Sequence, residues 1–117
     1  QFWWQGIDPV TVIEDYPDRI GYAHGKDTLL YPERIRRLGV LHPTPPTDPT
    51  KAPWHFVSVG EGHDDATWTR LIAALQKAGY DDVVSIEHED PRYDGEEGTA
   101  RSIAGLKRAL KPLGATG

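Results

Sequence analysis

His24 and Glu87 are the residues of this chain whose types and surroundings suit chemistry. His24 falls in Gly21-Tyr22-Ala23-His24-Gly25-Lys26-Asp27, and Glu87 in Val83-Val84-Ser85-Ile86-Glu87-His88-Glu89-Asp90. Each stretch opens as a strand fit for burial and closes on ionisable residues that a buried strand avoids. An imidazole beside a carboxylate can ligate a divalent cation or exchange a proton. For His24 the structural alternative is a hydrogen-bonded histidine at a strand end. For Glu87 it is a salt bridge with Lys26 or an arginine, because a buried carboxylate needs a partner.

The elements that must position this pair follow from pattern and punctuation. Arg19 to His24 reads as a strand with Ile20, Tyr22 and His24 on one face. Val83 to Glu87 reads as a second strand, with Val83, Ser85 and Glu87 sharing a face. Between them, Asp64 or Asp65 caps a helix whose apolar stripe is Trp68, Leu71, Ile72 and Leu75, closed by Gly79. Strand, helix, strand is the order of a parallel sheet, where ligands gather at the carboxyl ends of strands. Asp8-Pro9 starts a short helix that Pro17 stops, and Thr99 to Leu110 forms the last helix, with Ile103, Leu106 and Leu110 on one side. Residues 28–60 read as a long irregular loop holding one short helix, Tyr31 to Gly39, and a possible extended segment, Trp54 to Val59. His42 to Pro53 contains five prolines, which excludes regular structure there. His42 and His55 receive no role.

A chain of 117 residues builds one modest core, and 38% hydrophobic with 26% charged residues is ordinary for a globular protein. A net charge of -5 argues against nucleic acid as the main partner. No apolar run approaches the ~20 residues of a membrane helix. The lack of cysteine excludes disulfides and thiolate metal sites and fits a cytoplasmic protein. Three aromatics among the first four residues read as a surface that packs on something, and with the absence of methionine they suggest part of a longer chain.

Four stretches together carry a resemblance. Trp4-Gln5-Gly6-Ile7-Asp8-Pro9 is similar to the loop and helix start after a sixth barrel strand, and Arg19 to Asp27 to a seventh strand ending His-x-Lys-Asp. Gly60-Glu61-Gly62 before Asp65 and Trp68 resembles the turn before the seventh helix, and Ala78-Gly79-Tyr80 with Ser85 to Asp90 the eighth strand and its lead-in. The set resembles the sugar phosphate isomerase/epimerase family, the xylose-isomerase-like TIM barrels. The resemblance implies an α/β fold, a partial (β/α)8 barrel of roughly strands 7–8 with helices 6–8 and a long loop after strand 7. It makes residues 1–117 a single C-terminal portion of a domain that takes ~250 residues when complete.

The resemblance also implies one divalent metal ion (Mn, Mg, Co or Zn) held by two Glu, one Asp and one His. His24 matches the histidine and Glu87 the last glutamate, leaving the other ligands upstream of Gln1. The implied reaction is proton transfer next to a carbonyl of a sugar or sugar phosphate, with Glu87 as ligand and proton carrier. Two ligands alone bind metal poorly, so the isolated chain is expected to be inactive. Lys26 would contact substrate or its phosphate and Asp27 would sit behind the site or touch substrate; a loop ion pair is the alternative for both. Glu89 shares the parity of Glu87 and would reach substrate, against a solvated rim position. His88 is expected to point away from Glu87, toward the helix layer or the rim, and His63 reads as an exposed loop histidine, with a pocket-facing position as the alternative. Trp54 and Phe56 close over a sugar ring or serve as packing anchors. A metal-dependent endonuclease on the same barrel is disfavoured by the acidic balance. The non-catalytic alternative is a fragment that self-associates through open sheet edges.

Overall fold

The computed structural model describes residues 1–41 and 48–114. The first half of the proline-rich stretch, residues 42–47, therefore lies outside the described residues, and His42 with it. Helix α1, Pro9–Asp15, starts where the sequence predicts: the Asp8 carboxylate accepts from Val10 N at 3.0 Å, and Pro9 takes the first position, where no N–H is needed. Pro17–Arg19 then forms a single 3-10 turn, in place of the expected strand start. Strand β1 is only Ala23–Gly25, because its length is set by its partner, β4, Val84–Ile86. The two are parallel, with Ala23 opposite Val84, His24 opposite Ser85 and Gly25 opposite Ile86.

The expected irregular loop over residues 28–60 holds more order than its sequence suggests. Strand β2, Asp27–Leu30, runs antiparallel to β3, Trp54–Val57, with Asp27 opposite Val57 and Leu30 opposite Trp54. Helix α2, Pro32–Leu38, lies beyond the ribbon as predicted and ends at Gly39, whose φ of 69° needs a residue without Cβ. Arg34 donates to Pro49 O and Ala52 O, at 2.8 and 3.0 Å, tying the returning chain to this helix.

Helix α3, Asp65–Lys77, is capped by Asp64, which accepts from Thr67 N at 2.8 Å. It buries Trp68, Ile72 and Leu75, three of the four predicted stripe residues, while Leu71 is partly buried. Helix α4, Gly95–Leu110, begins earlier than expected because Asp94 caps it. Its buried positions are Gly98, Ser102, Gly105 and Ala109, while Ile103 stays 43% exposed. The stripe is small because the helix lies almost on the chain beneath. A Cβ at Gly105 would sit 2.0 Å from Val59 O, and one at Gly98 the same distance from the His88 ring. Leu106 and Leu110 still flank the core of Val59, Trp68, Ile72 and Ala109, which holds the two long helices together, with Ile86 of β4 packed against it.

Candidate functional site

The parallel register sets the geometry of the site. Side chains two apart share a face, so Tyr22 and His24 from one strand meet Ser85 and Glu87 from the other. The Tyr22 hydroxyl is hydrogen-bonded to the Ser85 hydroxyl. One step further on, His24 Nδ1 lies 3.2 Å from Glu87 Oε2. Glu87 N donates to Gly25 O at 3.2 Å, extending the pairing to the residue that carries the carboxylate. The His24 and Glu87 side chains are 55% and 40% exposed, at the mouth of a cleft of about 350 Å³ whose walls include Ile13, Ile20, Leu71 and Leu75.

Lys26 is the third member of the group. Its side chain is only 6% exposed, and Nζ stands 2.9 Å from Glu87 Oε1 and 2.6 Å from Glu89 Oε1. The Phe56 ring covers the ammonium with its centroid at 3.9 Å. The hydrogen bond from Lys26 holds the Glu87 carboxyl below the usual carboxylate range. Both functional and structural readings of Glu87 thus have geometry behind them: Oε2 faces His24, and Oε1 is paired with Lys26.

Asp27 has no contact with the cleft. It is fully buried, and its carboxylate accepts N–H groups from Gly60, Gly62 and His63 at 3.0, 3.1 and 3.0 Å. The Trp68 indole and the His63 ring donate to it as well, at 2.9 and 2.8 Å. Burial pushes its pKa up, but the hydrogen bonds led by His63 and Trp68 outweigh burial and leave the group below its ordinary value. A substrate contact by Asp27 does not fit this placement; the residue sits behind the site and shapes the turn before α3. Gly62 belongs to that turn because a Cβ there would meet Thr28 O at 2.3 Å. His63 is not an exposed loop histidine: it stacks on Trp3, ring centroids 4.0 Å apart. His88 does turn to the helix layer, against Gly98. Trp54 stacks on Trp4 and meets Phe56 edge-on, so both act as packing anchors beside Lys26.

Sequence reasoning missed the Phe56–Lys26 contact and the His63–Asp27 bond. The first depends on the β2–β3 register, which no turn motif announces. The second had a signal in the Gly-x-Gly turn, whose exposed amides call for an acceptor.

The donor set can be tested against a divalent ion. A metal bound at about 2.0–2.2 Å keeps neighbouring ligand atoms about 3 Å apart, and the His24–Glu87 separation of 3.2 Å meets that spacing. The pair fits as part of a coordination shell. Among the described residues no group of three or more His, Asp or Glu side chains converges to complete one.

The sequence matches the family described as Xylose isomerase-like TIM barrel over residues 1–109. The chain belongs to that family. Among curated proteins it is similar to "Uncharacterized protein YfiH" of Bacillus subtilis (strain 168), at 31% identity over 107 residues. The alignment takes in 92% of this chain and 34% of the relative, so the chain spans about a third of that protein's length. In xylose isomerase-like TIM barrels, as in other barrels, active sites lie at the carboxyl ends of the strands. His24 is the middle residue of the short β1, one before its end, and Glu87 directly follows the last residue of β4. Among the described residues no helix is long and apolar enough to cross a membrane.

Proposed function

We propose that this chain is the strand 7 and strand 8 portion of a divalent-metal-dependent sugar or sugar phosphate isomerase/epimerase. One observation carries the reading: parallel pairing of β1 and β4 brings His24 Nδ1 and Glu87 Oε2 within 3.2 Å at the mouth of a cleft. His24 and Glu87 Oε2 would hold the metal, with the remaining Glu, Asp and any companion groups supplied by strands outside these residues. A divalent metal held by His24 and Glu87 would supply Lewis acidity toward a substrate carbonyl, which would make the proton on the neighbouring carbon easier to remove. Glu87 takes a proton from that carbon and returns it, a role that needs an ionised carboxylate, which Lys26 favours. The strand pairing fixes both groups without loop rearrangement. Cysteine-free composition fits a reducing cytoplasm. The matched relative, about three times as long, is the natural scale for a full barrel.

The test is manganese titration by calorimetry on a polypeptide carrying the whole barrel, with aldose–ketose interconversion followed in parallel. Glu87→Gln should abolish turnover and weaken manganese binding, and His24→Ala should weaken it as well. Unchanged manganese affinity and turnover in Glu87→Gln would overturn the assignment. A second reading has its own observation. Among the described residues β1 and β4 pair only with each other, and Tyr22 and Val83 beside them are 54% and 59% exposed. Such open edges favour self-association of the isolated chain or docking onto a complementary piece.

A further inference from the structure

Lys26 is surrounded as a bound cation is. An ammonium has three N–H donors. Here carboxylate oxygens of Glu87 and Glu89 stand at 2.9 and 2.6 Å, and the negative face of the Phe56 ring closes a further side at 3.9 Å. The side chain is 6% exposed, whereas the two carboxylates are 40% and 52% exposed. The positive charge is therefore the buried partner, and the more exposed acidic groups close over it. This is the reverse of a lysine offered to an incoming anion, whose ammonium would be open and unpaired.

Without Lys26, Glu87 Oε1 and Glu89 Oε1 would face each other with no cation between them. Two neighbouring carboxylates repel, and oxygen donors of this kind suit manganese, magnesium or calcium. We propose that Lys26 is a built-in cation that occupies the space between Glu87 and Glu89 and closes to divalent ions the second site these carboxylates would otherwise form. This rests on the reading of Glu87 as a metal-site residue. It adds that only Oε2 of Glu87 is available to metal, on the His24 side, so the site takes a single ion. It also means that the lysine gives no free charge to a substrate phosphate.

Manganese titration by calorimetry on a polypeptide carrying the whole barrel tests it. Lys26→Met should bind manganese at least tenfold more tightly than the wild type, and adding Glu89→Gln should remove that gain. Lys26→Arg, which keeps the charge, should show no gain. Manganese affinity that is equal or lower in Lys26→Met overturns the proposal, as does a gain that survives Glu89→Gln. If Lys26→Met does not fold, Glu89→Gln alone decides. With Lys26 in place, that change should leave manganese affinity unaltered, and a clear loss overturns the proposal. Dependence on His24 separately reports on the proposed function, so the two readings fail in different variants.

Discussion

Trp68 Nε1 donates to Asp27 Oδ2 over 2.9 Å, joining the middle of the core to the first residue of β2. The same carboxylate holds the Gly60–His63 turn, so one buried charge fixes the start of α3 relative to His24. Asp27→Asn puts an NH2 group among N–H donors and removes the charge that they stabilise. We expect a loss of about 3 kcal/mol, read as a lower urea midpoint. Thr28→Val beside it serves as the contrast. The Thr28 hydroxyl is buried without a hydrogen-bond partner among the described residues, so that change should cost less than about 1 kcal/mol or stabilise.

Acid stability should depend on Asp90. Burial raises its pKa, but Arg92 and the Ser58 amide more than offset this and bring it from 3.8 to about 2. A carboxylate with a depressed native pKa adds stability that is fully present above its unfolded value and is lost as pH falls through the native one. The window therefore runs from just above pH 4 down to about 2. The contribution is about 2 kcal/mol at most. Asp90→Asn should be less stable at neutral pH and should flatten the acid limb of a stability–pH curve measured by urea denaturation.

The close approach of α4 gives a pair of opposite glycine substitutions. Gly105→Ala drives a methyl into Val59 O and should destabilise by roughly 1–3 kcal/mol or more. Gly95→Ala meets nothing within 4 Å and should be neutral or stabilise by up to about 0.5 kcal/mol. Thermal unfolding of both variants checks the sign.

Charge at the open edge should control association. Val83 is 59% exposed beside β4, and Val83→Lys places a cation where a second strand would dock. Sedimentation velocity of the isolated chain should show self-association that Val83→Lys reduces. A wild-type chain monomeric at high concentration would sink the self-association reading.

What the sequence revealed depended on whether the signal was local. The Asp64 cap and the Trp68, Ile72 and Leu75 stripe lie within one helix and were legible. So was the parity that puts Tyr22 and His24 on one face and Ser85 and Glu87 on one face, since strand alternation needs no partner. The β2–β3 ribbon was not legible, because its arms are far apart in the chain and no tight turn joins them. The Lys26–Glu87 ion pair was legible as the structural alternative for Glu87, but the burial of Lys26 under Phe56 was not, because only the ribbon register brings Phe56 over it. The α4 face misled for a different reason: the helix buries its small residues, which hydrophobic periodicity discounts. Asp27 sits beside Lys26 in sequence, yet strand alternation sends it to the opposite side, into the turn.

Asp27 and Val57 face each other at the base of the ribbon, where the chain departs and returns. Everything from Thr28 to Phe56 is thus an excursion that begins and ends at one place. Loop-closure cost rises only slowly with length, so a change in the length of this segment should cost little. Its outer part can be lengthened, shortened or replaced while His24 and the start of α3 keep their positions, provided that the innermost rungs, including Phe56 over Lys26, are retained.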